Sequence, residues 1–407
     1  MKRRILFLTL PLLTLALALS TGSVLLLRVF SVMVLVPVSA WLWAVIGIRG
    51  LSSRARKSVE YCQAGECFDE EITVSSSSSL PKLLIQAAEK TDLPGYVNEA
   101  TFNLPPRGNF RWKNSVFCHR RGLYSLGSLT ATATDPFGLF SFHRDLGEPL
   151  DIVVFPATLD LPFFQSLSHR DQGYGTSRWL TSEVGPDAAR VREYASGDTL
   201  NRVHWPSTAH TGKLMVKEFD PDRSNYASRN VWIVLDMHQD SQAGEGDNST
   251  EEYGVTIAAS LIKKYMDGDK QVGLMSTGDR PYFFPPQTGE PYLWNMMEAL
   301  ALIKASGGIP VERLILGGID HFGTDTVMVV ITPASGAKLL GPLRQVRSRG
   351  TPVIVISLDS SSFAGTAPAT TTRNLVANGF QVYVVRSGEA PGKVLDSRAQ
   401  IPLVRNR

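Results

Sequence analysis

Apolar residues crowd the start of the chain. From Ile5 to Ile48 they run almost unbroken, interrupted only by STGS at residues 20–23, by Arg28 and by a few small residues. A buried helix of a globular protein does not need such a run, whereas a bilayer span needs roughly 20 apolar residues. Val24–Ile48 meets that length amply and Ile5–Leu19 falls a little short. The pattern predicts a hairpin of two transmembrane helices, at about 5–19 and 24–48, joined by a tight Ser/Thr/Gly turn. Arg28 stands near that turn, where its stem can snorkel to the headgroups, and Trp41 and Trp43 stand toward the far end as interfacial anchors.

Two other rhythms follow. From Val59 to about Pro156, short runs such as EEITVS, NFRWKNSVF, GSLTATATD and DIVVFP alternate with Gly, Pro and Asn turns, the spacing of an antiparallel, immunoglobulin-like β-sandwich. SSSSS at 75–79 ends one strand and opens a loop. From Asn230 onward, near-continuous apolar strands (RNVWIVLD, KQVGLMST, TVMVVITP, TPVIVISL, QVYVVRS) alternate with the helical stretches STEEYGVTIAASLIKKYMDGD, PYLWNMMEALALIKA, SGAKLLGPLRQVRSRG and TTRNLVANGF. Strands covered on both faces read this way, so a doubly wound α/β domain is predicted. Ser249 with Glu252 forms a capping box at the start of its first helix. The expected chain is a membrane-anchored multi-domain protein: an anchor over 1–57, a β-sandwich over 58–156, a junction over 157–229 and an α/β domain over 230–407.

Charge adds orientation. Lys2, Arg3 and Arg4 precede the first span, and Arg49, Arg54, Arg56 and Lys57 follow the second, with no acid before Glu60. Basic flanks stay on the cytoplasmic side, which predicts a two-pass protein of the plasma (inner) membrane with its C-terminal bulk in the cytoplasm. A cleaved signal peptide is the rival reading of the first segment, because Ala18-Leu19-Ser20 resembles a cleavage site; its apolar region is long for that role. Residues 1–57 hold eight of the 41 Lys and Arg and none of the 38 acids, which leaves 33 bases against 38 acids in the rest. The basic balance belongs to the anchor, and nothing reads as a nucleic-acid stripe. Cys62, Cys67 and Cys118 are an odd set that argues for a reducing compartment. With His119 they lack the paired Cys-x-x-Cys spacing of a zinc site, so buried or half-buried thiols are expected.

Three stretches are too specific for patterning alone: RRGLYSLG at 120–127, DPFGLF at 135–140 and VREYASGDTLNRVHWPSTAHTGKLMVKEF at 191–219. In DPFGLF, Asp135-Pro136 opens a turn, Gly138 permits otherwise unfavourable backbone, and Phe137, Leu139 and Phe140 are expected to bury apolar surface as a corner plug. In the third stretch, Gly197-Asp198 reads as a turn, Arg192 or Arg202 can hold a carboxylate, and Trp205 offers a packing face.

In this order the three motifs resemble the domain-of-unknown-function fifty-eight family, whose members run from a double membrane span through a β-rich region to a domain like the von Willebrand factor A domain. The resemblance implies a structural signature at Arg120, Arg121, Gly122, Tyr124, Gly127, Asp135, Pro136, Phe137 and Gly138. It continues at Arg192, Tyr194, Gly197, Asp198, Arg202, Trp205, Lys213, Val216 and Glu218. His204 replaces an acid usual in the family and His210 an arginine, departures that favour a structural role for the stretch.

The same resemblance implies where a divalent cation would sit: on Asp-x-Ser-x-Ser after the first strand, with a Thr and an Asp from later loops. Here the strand ends in Asp236-Met237-His238-Gln239-Asp240, without either serine, and a later strand ends in Thr332-Pro333 where an acid is expected. Asp236, His238 and Asp240 thus make a degenerate site, and hard Mg²⁺ prefers an all-oxygen set, so no cofactor is expected. Asp198, His204 and Ser207 include the residue types of a hydrolytic triad but lack a nucleophile elbow. GGIPVERLILGG lacks the Lys-Ser/Thr ending of a phosphate loop, and the acidic residues of 241–252 lack the alternate spacing of a calcium loop. Met296 and Met297 read as helix core.

The expected function is a non-enzymatic membrane-anchored scaffold or adaptor with a cytosolic protein-interaction domain, binding neither nucleic acid nor a small-molecule substrate. The family resemblance implies a MoxR-type AAA+ ATPase as partner, in the assembly or maturation of envelope proteins. The alternatives are a metal-dependent adhesion module centred on Asp236, and a hydrolase using Ser207, His204 and Asp198.

Overall fold

The structure, a computed structural model, describes residues 2–162, 164, 190–193, 203, 205–218, 230–334, 336–363 and 371–396. It divides into two compact units, Met1–Phe155 and Pro156–Arg407.

The first unit begins with two helices, α1 (Lys2–Thr21) and α2 (Val24–Ile48), with Gly22 in the left-handed region (φ 66°) at the reversal between them. Thr14 of α1 reaches Met33 of α2, Oγ1 to Sδ 4.0 Å. Among the described residues α2 is the one helix long and apolar enough to cross a bilayer. It buries only the small residues Ala40, Ala44 and Gly47 and leaves its large ones exposed or half-buried, Trp41 and Trp43 among the exposed. That is the inverse of a soluble core helix.

The β-domain starts earlier than charge patterning suggested. Residues assigned to a basic flank form β1 (Leu51–Lys57), in which Leu51 is buried and Ser52, Arg54 and Arg56 point outward. The other strands are β2 (Tyr61–Gln63), β3 (Cys67–Ser76), β4 (Lys82–Lys90), β5 (Glu99–Leu104), β6 (Asn109–Phe117), β7 (Gly122–Leu126), β8 (Ser128–Thr134), β9 (Ser141–Leu146) and β10 (Leu150–Phe155). They pair as β1-β3-β6, β5-β4-β8-β9 and β2-β10-β7. Leu51, Ile72 and Val74 of the first sheet meet Ile85, Phe102, Leu104, Leu129 and Ala131 of the second in one core, the expected sandwich. Cys62, Phe68, Val116, Cys118 and Ile152 form a second core beneath the third sheet. Cys62 and Cys118 are buried, as expected, and Cys67 is exposed.

Within this unit, α2 is locked to the sandwich. Lys82, at the start of β4 and 1% exposed, donates from Nζ to the carbonyls of Ile46 (2.7 Å), Gly47 (3.2 Å) and Arg49 (2.6 Å). Three donated bonds require the ammonium form, since a neutral amine has only two hydrogens, even though burial lowers this lysine's pKa. These carbonyls lie at the end of α2, where helices leave such groups unpaired. Gly47 also allows close approach: a Cβ there would lie 2.9 Å from Cβ of Ala133.

The second unit opens with the antiparallel pair β11 (Arg190–Glu193) and β12 (Met215–Glu218), with α3 (Trp205–Thr211) between them in sequence. Its main sheet comprises β13 (Asn230–Leu235), β16 (Gln271–Thr277), β17 (Pro281–Gln287), β18 (Thr326–Thr332), β19 (Val353–Leu358) and β20 (Gln381–Val385). The two-residue strands β14 (Gly244–Glu245) and β15 (Asn248–Ser249) make a small hairpin beside it. The main order is β17-β16-β13-β18-β19-β20, parallel except for the edge strand β17.

Helices α4 (Thr250–Asp267), α5 (Glu290–Leu302), α6 (Val311–Gly317), α7 (Gly336–Ser348), α8 (Thr371–Ala377) and α9 (Pro391–Asp396) complete the unit. Alternation along β13 sends Trp232 and Val234 into a core with Ile315 of α6 and Leu339 and Leu343 of α7. Leu235 points to the other face, where α4 comes close enough that a Cβ on Gly254 would lie 3.3 Å from it. The domain is doubly wound. Met296 and Met297 are core residues, and the Ser249 side chain caps α4 by accepting from the Glu252 amide.

Candidate functional site

Chain reversal between β13 and β18 creates the sheet's topological switch point, and in open α/β sheets the crevice there is the usual ligand position. Asp236 follows β13 directly and Thr332 ends β18; they are 3% and 1% exposed. Thr332 donates from Oγ1 to Asp236 Oδ2 at 2.6 Å, and the His238 amide donates to Oδ1 at 3.0 Å. Ser241 Oγ lies 3.3 Å from each carboxylate oxygen, and Gln242 Nε2 donates to the Asp236 carbonyl at 2.7 Å. Thr250, at the start of α4, holds the Gln242 side chain by donating to Oε1.

The loop after α5 closes over the same end. The Gly307 amide donates to the Met237 carbonyl and its own carbonyl accepts from the Gln239 amide. A Cβ at Gly307 would lie 1.9 Å from the Thr277 carbonyl, so only glycine fits between the strand ends. Burial pushes the Asp236 carboxyl above the ordinary aspartate range, an effect its hydrogen bonds from Thr332, His238 and Ser241 partly oppose.

The expected degenerate metal set does not converge. His238 Nε2 is 3.9 Å from Asp240, whose side chain is 88% exposed, while Asp236 turns inward to hydroxyls. Sequence reasoning missed Ser241; the short 3-10 turn Gln239–Ser241 carries its hydroxyl back to the Asp236 carboxylate. Among the described residues no group of three or more His, Cys, Asp or Glu is arranged to hold a metal. Oxygens of Asp236, Ser241 and Thr332 are hard donors, but they are engaged with one another.

The signature residues divide. Val216 is buried at 1% in β12, bridges Val203 and stands opposite Arg192 in β11; Glu218 pairs with Arg190 in register. Trp205 was expected to pack, yet it is 67% exposed on the first turn of α3. Lys213 and His210 are exposed and Ser207 is half-buried. Tyr194, Gly197, Asp198, Arg202 and His204 lie outside the described residues, so the proposed triad is represented by Ser207 alone.

In the β-domain, Gly122 (φ 150°) lets the Tyr124 ring fold back so that its hydroxyl donates to the Arg121 carbonyl, 3.2 Å. Arg120 is half-buried and Arg121 buried. Gly127 (φ 80°) leaves no room for a Cβ beside Ala55 and donates its amide to Glu89. Asp135, 3% exposed, accepts from the amides of Phe137 (2.8 Å) and Phe140 (2.6 Å) and so builds its turn, with Gly138 at φ 69°. The plug expectation fails for Phe137: Pro136 and Phe137 stand at the tip, Phe137 64% exposed, while Leu139 and Phe140 are half-buried. The turn is too tight for its second and third residues to fold inward.

A buried polar network escaped the sequence reading altogether. Glu70, 2% exposed, accepts from the Tyr96 hydroxyl (3.1 Å), which accepts from Asn114. Glu89 accepts from Asn98, whose Oδ1 accepts from the Trp112 indole. Burial first, and the nearby Glu89 second, push the Glu70 carboxyl up to about 8. The available signal was alternation: Phe68, Glu70, Ile72 and Val74 share one face of β3.

Among the described residues, fold and site therefore define one bilayer-length helix, a β-sandwich and a doubly wound domain whose strand-end carboxylate is turned inward. Residues 190–359 match the family described as Protein of unknown function DUF58. The chain is similar to the uncharacterized protein YeaD of Bacillus subtilis, 28% identical over 194 residues, which are 44% of this chain and 46% of that one. It is also similar to the uncharacterized protein Rv1480 of Mycobacterium tuberculosis, 25% identical over 138 residues, 33% of this chain and 42% of that one. The matches thus span less than half the length of these relatives.

Among solved structures, a CARDB domain from Pyrococcus furiosus is 14% identical with a TM-score of 0.21, over 26% of this chain and 94% of its own. The C-terminal domain of wzt is 11% identical with a TM-score of 0.23, over 27% of this chain and 77% of its own. Likenesses this low carry no argument about function.

Proposed function

We infer that the protein is a non-enzymatic, membrane-anchored scaffold whose α/β domain binds another protein. The observation that carries this reading is the strand-end carboxylate: Asp236 is 3% exposed and its oxygens are taken up by Thr332, Ser241 and the His238 amide. A group tied up in this way orders its own loops and is not presented to a substrate. The six-stranded order with one antiparallel edge strand supports a likeness to the von Willebrand factor A domain, a fold that serves as a binding surface. Of the rival readings, metal-dependent adhesion draws less support because Asp240 points to solvent, and hydrolysis draws none from Ser207 alone.

In this reading α1 and α2 both cross the membrane, with basic residues on the cytoplasmic side and both globular units in the cytoplasm. The partner is a MoxR-type AAA+ ATPase, and the role is assembly or maturation of envelope proteins. Native co-purification tests it: membranes are solubilised gently, the chain is captured through its α/β domain, and retained proteins are identified with and without ATP. Retention of a AAA+ ATPase that changes with nucleotide is expected; its absence under both conditions would remove the partner.

A further inference from the structure

Several features of the β-domain that the scaffold reading leaves unused gather at one end. The end is defined by α2: Lys82 bonds the carbonyls of its last turn, Ile85 Cδ1 would lie 3.8 Å from a Cβ on Gly47, and Ala133 abuts the same glycine. Ile85 and Ala133 are directly paired, so the start of β4 and the end of β8 emerge together there. Lys82 pairs with Leu104, which brings the loop after β5 to the same end.

Large apolar side chains project from these connections. Leu80 is 53%, Leu83 41%, Leu84 59% and Phe137 64% exposed. Neighbouring strand residues ordinarily alternate between faces, so two consecutive outward leucines need a cause. The cause is a register shift between Lys82 and Ile85, with Leu84 in the left-handed region at φ 53°. A branched residue with positive φ is an uncommon and unfavourable choice. Asn103 holds it in place, its Oδ1 accepting from the Leu84 amide at 2.7 Å. Backbone strain is here maintained to turn a leucine outward.

Charge separates this end from the opposite one. The connections 77–81, 105–108 and 135–140 contain one carboxylate, Asp135, which is buried, and one exposed cation, Arg107. Val97 and Leu123 are exposed at the far end too, but Glu60, Glu66 and Asp92 are exposed there with them. An apolar rim free of exposed carboxylate suits a lipid surface, whereas exposed carboxylates oppose entry into one.

We propose that Leu80, Leu83, Leu84 and Phe137 form an apolar collar that dips into the bilayer interface around the exit of α2 and seats the β-domain on the membrane. The occupant is the lipid of the bilayer that α2 crosses, because the collar is continuous with that helix; the proposal rests on the reading of α2 as a span. Side chains on such a rim reach about 5–10 Å into the headgroup and acyl boundary. DPFGLF thereby has a role beyond shaping a corner: Asp135 builds the turn from within and Phe137 is its lipid-facing tip.

The test uses the full chain in phosphatidylcholine nanodiscs, with an environment-sensitive fluorophore on one cysteine. Probes are placed at Phe137→Cys, Leu83→Cys and Leu35→Cys, each in a Cys67→Ser background, and at native Cys67 as a reference at the far end of β3. Cys62 and Cys118 are buried. The Phe137 and Leu83 probes should be blue-shifted, quenched by lipid carrying a shallow nitroxide, and at least ~3-fold less quenched by aqueous iodide than the Cys67 probe. The Leu35 probe should be quenched by a deep nitroxide.

If the Leu35 probe is quenched from within the bilayer while those at Phe137 and Leu83 behave like Cys67, the collar is refuted and the anchor stands. Blue-shifted collar probes that no nitroxide lipid quenches also refute it, because a protein surface is then the occupant. A Leu35 probe that no lipid quenches overturns the span and the collar with it.

Discussion

Glu70 is a carboxyl group inside an apolar sandwich, and its environment sets a pH dependence. Its folded pKa is raised to about 8 by burial and by Glu89, so the folded state holds a proton that the unfolded chain releases from about pH 4 upward. The unfolded state then binds fewer protons than the folded one, and stability falls as pH rises through that window and levels off above about 8. Glu70→Gln keeps the acceptor for Tyr96 and cannot ionise. Thermal unfolding should show the variant gaining on the parent as pH goes from 5 to about 8, and equal slopes would mean that Glu70 is not held protonated. Asp236 shows the same limit on foresight at this scale. Its position at a strand end was legible, as was Thr332 at the end of a later strand, but Ser241 was not, because it reaches the carboxylate through a turn.

At the scale of elements, the apolar strands and amphipathic helices of the α/β domain were legible almost to their ends, since burial on both faces leaves a continuous apolar run. Helix α6 was missed because VERLILG is only seven residues long, and other missed elements have polar or proline-rich sequences. β1 reads as RARK because its outer face is solvated, and β17 carries three prolines that only an edge strand tolerates. The lock between α2 and β4 was invisible because it joins a lysine side chain to carbonyls 33 to 36 residues away. Lys82→Met keeps the length of the stem and removes the three bonds. Leaving buried carbonyls unpaired costs about 1–3 kcal/mol each, so the detergent-solubilised variant should melt lower and be cleaved faster near residues 49–51. An unchanged melting point and cleavage rate would show that the carbonyls find other donors.

For the whole molecule, the order of anchor, β-sandwich and doubly wound domain followed from hydrophobic rhythm alone, while the apolar end of the β-domain did not, because a register shift and a turn tip expose its leucines and Phe137. Orientation rests on the basic residues around the apolar stretch and on the odd set of cysteines. Those cysteines supply their own reporter, because Cys67 is exposed and Cys62 and Cys118 are buried. A membrane-impermeant maleimide applied to the full chain in sealed cells and in inverted vesicles tests most directly whether the scaffold faces the cytoplasm. Cys67 should be labelled in inverted vesicles and protected in intact cells; labelling from outside intact cells would contradict a cytoplasmic scaffold.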